Sequence, residues 1–241
     1  MKKKNILFFV ALLVMPMLLS FGCGRNTSNN KETEASENRE ADELNLEQEQ
    51  EEEKGVQFPI VLEDGKIEVE SIFQFEGINP DCNDLEGEDI AAITLKNISD
   101  DYLKNAVIEA TLDDGKEYTF SVDNLPAGKE AIAFVTDNSV LPSDGICMEV
   151  KAETRFEEIT TVDNVLISVD GMVVTIENAT DEELMGIDVY CRNVFNEQYF
   201  GGMAYKYTIE TIPAGECATI TASDSILGMV DVVRVDVNHQ N

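Results

Sequence analysis

The sequence predicts an all-β protein, two tandem β-sandwich units that follow an export signal and an acidic tether. Three observations predict it. Apolar residues recur with a period of two rather than 3.6, turn signals fall at the short intervals usual in sandwiches, and a stretch of the chain is repeated once within itself.

The elements follow in chain order. Residues 1–22 open with Lys2-Lys3-Lys4 and then carry no charge from Ile6 to Gly22. A basic start followed by a short apolar run is a secretory signal. The run is shorter than the roughly 20 apolar residues of a membrane span, and Pro16 interrupts it. It ends Leu19-Ser20-Phe21-Gly22-Cys23, which resembles the lipobox of bacterial lipoproteins. That resemblance implies cleavage before Cys23, lipidation of Cys23, and a place on the extracellular face of the bacterial cell membrane.

Residues 23–55 supply the tether. From Gly24 to Gly55 the chain holds 11 acidic and 4 basic residues, with only Leu44, Leu46 and scattered alanines to bury. Such a composition builds no core and is expected to be disordered. As a coil it would reach roughly 30 Å. Without the leader, 14 basic residues face 48 acidic ones, a net charge of −34, of which the body from residue 56 carries −27. A surface of that sign repels phosphate backbones and anionic lipid, so nucleic acid is excluded as a partner and the membrane link must be the anchor. No D-x-D-x-D-G calcium loop is present, and neither a metal nor a cofactor is expected.

Residues 56–241 are long enough for two small sandwiches, and the repeat divides them. "TLKNISDDYLKN" at 94–105 matches "TIENATDEELMG" at 175–186, and "NLPAGKEA" at 124–131 matches "TIPAGECA" at 211–218. The expected domains are 56–160 and 161–241. In the first, Ala106, Ile108, Ala110 and Leu112 alternate with Val107, Glu109 and Thr111, and Tyr118, Phe120 and Val122 alternate likewise. In the second, Val233, Val235 and Val237 alternate with Arg234 and Asp236. These are half-buried strands, and Asp64-Gly65, Asp114-Gly115, Pro126-Ala127-Gly128, Asp170-Gly171 and Pro213-Ala214-Gly215 mark the turns between them. Each unit is expected to be an immunoglobulin-like sandwich of six or seven strands. The Asn-x-Ser/Thr-Asp patterns at Asn97 and Asn178 read as strand-ending turns, in which the Asn and Ser/Thr side chains bond the local backbone.

Apart from Cys23 there are four cysteines, and an exported chain permits disulfides. One bridge per unit, Cys82–Cys147 and Cys191–Cys217, is the economical pairing. The alternative is that some are buried small hydrophobes.

No catalytic residue is expected. The single histidine, His239, lies three residues from the end of the sequence, which removes Ser-His and Cys-His nucleophilic sites and the usual zinc sets. There is no G-x-S-x-G, P-loop or dinucleotide fingerprint.

One stretch stands apart: "QYFGGMAYKY" at 198–207 sets two glycines among four aromatics. Asn97 to Pro126 spans 29 positions, whereas Asn178 to Pro213 spans 35, so the second unit inserts six residues around 199–205. A bulge or wider loop accounts for the glycines, through positive φ or close backbone approach, with the aromatics packed inward. The other reading is an aromatic platform for a peptide strand or a sugar ring, formed by Tyr199, Phe200, Gly201, Gly202 and Tyr205. Leu227-Gly228-Met229 is a candidate neighbour on an adjacent loop.

The Leu19–Cys23 lipobox, the tether and the paired "N-x-[ST]-D…P-A-G" units together resemble cell-surface lipoproteins of clostridia-type Gram-positive bacteria. More loosely, "TLKNISDDYLKNAVIEATLDDGK" is similar to the FxLYD-type immunoglobulin-like domain, with Glu109-Ala110-Thr111-Leu112-Asp113 in place of the name-giving tract. Neither resemblance implies a catalytic residue. They imply a non-catalytic surface lipoprotein displaying two sandwich domains to a cell-envelope protein or glycan, or alternatively an accessory subunit of an envelope complex with no ligand of its own.

Overall fold

The period-two stretches are strands. A computed structural model of the chain describes residues 55–159 and 163–237; the leader, Cys23, the tether through residue 54, the expected 160/161 boundary and His239 lie outside the described residues. The described residues are all-β, with one short 3-10 turn at Glu63–Gly65 and no α-helix. The strands in chain order are β1 (Ile60–Leu62), β2 (Ile67–Asn79), β3 (Leu85–Asn97), β4 (Tyr102–Leu112), β5 (Glu117–Leu125), β6 (Glu130–Phe134) and β7 (Cys147–Glu157) from the first repeat. From the second come β8 (Val165–Asp170), β9 (Val173–Asn178), β10 (Leu184–Phe195), β11 (Gln198–Ile212), β12 (Cys217–Thr221) and β13 (Val230–Val237).

They form three sheets. One has seven strands in the order β1-β2-β3-β6-β11-β10-β13, and two have three, β5-β4-β7 and β12-β9-β8. The alternation read from the sequence is the burial pattern of β4 and β5: Ala106, Ile108, Ala110, Leu112, Tyr118, Phe120 and Val122 are all buried. They meet Ile67 and Val69 of β2 and Ile93 and Leu95 of β3 from the facing sheet. In the second repeat Val174 and Ile176 of β9 pack on Ile187 and Val189 of β10. Each fully buried aliphatic or aromatic side chain contributes about 2 kcal/mol.

The two repeats do not keep separate sheets. The long sheet joins the first repeat's β1-β2-β3-β6 to the second repeat's β11-β10-β13 through a short parallel pairing, Tyr199 with Ala131 and Phe200 with Ile132. The core of the first repeat likewise takes in Tyr199 and Val233.

The two Asn-x-Ser/Thr turns are built alike. Asn97 is fully buried, and its Nδ2 donates to the carbonyls of Asp101 (2.8 Å) and Leu125 (3.1 Å), while its Oδ1 accepts from Ser99 N and Oγ. Asn178 does the same with Glu182 (2.7 Å), Ile212 (2.9 Å) and Thr180. Each amide therefore ties a strand-ending turn to the end of a strand distant in sequence. Asn97→Ala leaves the buried Leu125 carbonyl without its amide donor and the Asp101 carbonyl with only Ser99 Oγ, and about 3 kcal/mol of stability is expected to be lost, with an equal loss for Asn178→Ala. Urea unfolding at unchanged slope checks both.

The expected disulfides are absent, because all four described cysteines are free thiols. Cys191 points into the second core with no exposure, whereas Cys217 is exposed opposite Glu177 on the outer face of β12-β9-β8, so a sheet separates the two side chains. Cys147 sits on the edge strand β7 within the first core and donates to Glu149 O. Cys82 is held in the β2–β3 connection, which closes on itself through Cys82 N to Asn79 O and Leu85 N to Cys82 O. Cys82, Cys147 and Cys191 behave as the small buried hydrophobes of the alternative reading. Burial raises the Cys147 thiol, and it pushes Cys191 up to about 11, which keeps both unreactive.

Candidate functional site

The six inserted residues build the junction between the repeats. The β10–β11 turn is itself tight, at Asn196 and Glu197, both with positive φ. The extra length goes into β11, which has 15 residues where its counterpart β5 has 9. Cys191 pairs with Tyr205 and Asn193 with Phe200, so residues 201–204 bulge out opposite Arg192 alone.

The two glycines serve the two purposes expected of them, one each. Gly201 adopts φ +95°, and a Cβ there would stand 3.0 Å from Pro80 Cγ. At Gly202 a Cβ would lie 1.9 Å from the Ser121 carbonyl oxygen on β5 and 3.1 Å from Ala133 Cβ on β6. The bulge is pressed against both sheets of the first repeat, and only a residue without a side chain fits.

Its free N–H groups then meet carboxylates of the first repeat. Asp81 accepts from Gly202 N (2.7 and 2.9 Å to its two oxygens), from Met203 N (3.3 Å) and from Phe134 N on β6 (2.9 Å). Asp123 Oδ1 accepts from Ala204 N at 2.7 Å. Arg192, fully buried, donates through Nη2 to Gly201 O (2.5 Å) and through Nη1 to the Asp123 carbonyl. Its guanidinium also lies 3.9 Å from Asp123 Oδ1 and 5.2 Å from the Tyr199 ring centre. The buried Nε has no hydrogen-bond partner among the described residues.

The residues predicted as an aromatic platform are placed as follows. Tyr199 and Phe200 are 4% and 8% exposed, Gly201 and Gly202 are buried, and Tyr205 is half-buried. The Tyr199 hydroxyl donates to Asp231 Oδ2 at 2.8 Å, and the Tyr205 hydroxyl accepts from Asn193 Nδ2 at 3.2 Å. Phe200 packs edge-on against Phe134 (ring centres 5.1 Å) and Phe75 (5.7 Å), and Leu227 joins that cluster, as its proposed closeness required. The bulge brings all five together: Tyr199 and Phe200 pack on the first repeat, and Tyr205 bonds Asn193 within the second.

Arg192, Asp81 and Asp123 escaped the sequence reading. The one visible signal was Arg192 itself, a cation in the apolar-rich run "VYCRNVF". Compared with protein-family models and with curated proteins, the chain matches none.

Burial shapes the electrostatics of the junction. It raises both Asp81 and Asp123 above the ordinary carboxylate value of 3.8, against the pull of the backbone N–H groups and Arg192. Burial pushes Arg192 down from 12.5, opposed by the two carboxylates. Arg192 stays charged at neutral pH. A carboxyl raised in the folded state binds its proton more tightly there than in the unfolded chain. Stability therefore falls as pH rises from 3.8 through the raised values, and is flat above them. Self-repulsion of the −27 body acts in the same direction. Thermal melting is expected to shift upward as the pH is lowered through the raised values toward 3.8, with a shallower rise in Asp123→Asn. An unchanged slope in that variant contradicts the assignment.

Proposed function

We propose that the chain is a non-catalytic lipoprotein, anchored through Cys23 to the extracellular face of the bacterial membrane, that holds two tandem sandwich domains toward the envelope for contact with a protein or glycan. The observation that carries the reading is the seven-stranded sheet running through both repeats. The insertion that could have formed a recessed site is spent on joining the repeats, so what the body offers a partner is its outer surfaces and sheet edges. Rigid presentation at the end of an acidic spacer suits contact rather than turnover.

A second reading, an accessory subunit with no ligand of its own, draws on the burial of Tyr199 and Phe200. Surface cross-linking on intact cells carrying the full chain separates them. The display reading expects membrane fractionation, protease accessibility from outside, and a defined cross-linked product, all lost in Cys23→Ser. Membrane association that survives Cys23→Ser overturns the anchor. A product that forms only with a multi-subunit assembly supports the accessory role.

A further inference from the structure

From the free edge of β8 we infer a docking site for an extended peptide strand of another protein, apolar at alternate positions and basic between them. The inference deepens the display reading and rests on it, naming the partner class and the place.

The internal repeat supplies the first argument. Val165 of β8 pairs with Asn178 as Ile67 of β2 pairs with Asn97, and Ala179 N bonds Asn164 O (2.9 Å) as Ile98 N bonds Lys66 O (3.0 Å). Val165 and Ile167 thus occupy the places of Ile67 and Val69. Those two are fully buried, whereas Ile167 is 44% exposed and Val165 half-buried. The difference lies in the neighbour. β2 is flanked by β1, antiparallel, whose Ile60 and Leu62 sit opposite Val69 and Ile67 and pack on the core. Among the described residues no strand pairs with the corresponding side of β8.

The second argument is protection. Exposed sheet edges are ordinarily blunted by charge, brevity or proline. β7 carries Glu149, Lys151, Glu153 and Arg155; β13 carries Asp231, Arg234 and Asp236; β1 has three residues and β12 five. β8, "VLISVD", is uncharged until Asp170 and exposes Leu166 (55%), Ile167 (44%) and Val169 (39%). Val165, Ile167 and Val169 lie on the face of Val174 and Ile176. An incoming strand with valine or isoleucine at matching positions extends that apolar row, while its main chain completes the ladder.

Charge selects the remaining positions. β8, β9 and β12 contain no Lys or Arg, and the acids of the first two, Asp170 and Glu177, are joined by Asp163 just before β8. Lysine or arginine between the apolar positions is attracted there, whereas a second copy of this chain brings another −27.

The test uses the full chain and a synthetic capped peptide of alternating lysine and valine or isoleucine, read by fluorescence anisotropy and by amide hydrogen exchange. Expected are micromolar binding, new amide protection at 165–169, weakening with added salt, and no binding of a peptide with glutamate in place of lysine. Ile167→Glu should weaken binding at least about tenfold without moving the melting temperature. Equal binding by Ile167→Glu, protection confined to other strands, or no binding at millimolar peptide overturns the site. So does self-association of the free chain that Ile167→Glu abolishes, which would assign the edge to a second copy. Each of these leaves Cys23-dependent display standing, so the two readings fail separately.

Discussion

Gly202→Ala is expected to cost at least about 3 kcal/mol, a large share of the stability of a domain of this size, and to part the repeats before either core melts. The new methyl would stand 1.9 Å from the Ser121 carbonyl oxygen, and the backbone of a paired strand cannot retreat as a flexible side chain can. Relief requires β11 to lift off β5 and β6. The lift breaks the N–H bonds of Gly202, Met203 and Ala204 to Asp81 and Asp123 and the two-residue pairing with β6. Hydrogen exchange should then show residues 198–204 opening while β4 and β9 stay protected. Met203→Ala, 45% exposed on the same bulge, is the control and should be close to neutral. A folded, fully protected Gly202→Ala would refute this account of the junction.

Arg192→Ala is expected to be comparably severe, about 4 kcal/mol. Removing the guanidinium leaves the Gly201 and Asp123 carbonyls without their donor and takes the buried cation from beside the half-buried Asp81 and Asp123 carboxylates. The Tyr199 ring also loses the flat group packed beside it. Because Asp81 keeps its backbone N–H donors, its charge is partly compensated even then, so the larger share of the loss falls on Asp123. A double-mutant cycle of Arg192→Met with Asp123→Asn should therefore show a coupling of about 1–3 kcal/mol, and one with Asp81→Asn a smaller coupling. Equal couplings in denaturant titrations would overturn that ranking.

Much of this architecture is legible before any coordinates. Alternation at 106–112 and 118–122 names strands and the faces they bury, because the side-chain period of a strand is two and one face must leave water. The six-residue excess between Asn178 and Pro213 locates the departure from the repeat, and the paired glycines there announce positive φ or close approach, both of which occur. What the excess is for was not legible. Tyr199 and Phe200 read first as inward packing and second as a platform, and nothing local says which surface faces them. The cysteines failed for the same reason. Order along the chain paired Cys191 with Cys217, but one points inward and the other outward across a sheet.

The linear chain alone therefore determined that 106–112, 118–122 and 233–237 are strands, which face the first two bury, and where the second repeat departs from the first, since these follow from periods and spacings within a few residues. A register shift between β10 and β13 sends Val233 to the first core and Val235 and Val237 to the second. Only the tertiary structure decided that one sheet runs through both repeats, that Arg192 of the second meets Asp123 of the first, and that among the described residues β8 has no counterpart to the strand that shields β2. Those outcomes depend on pairings between groups tens of residues or more apart. Such pairings are set by how whole sheets come together, and no short pattern records them.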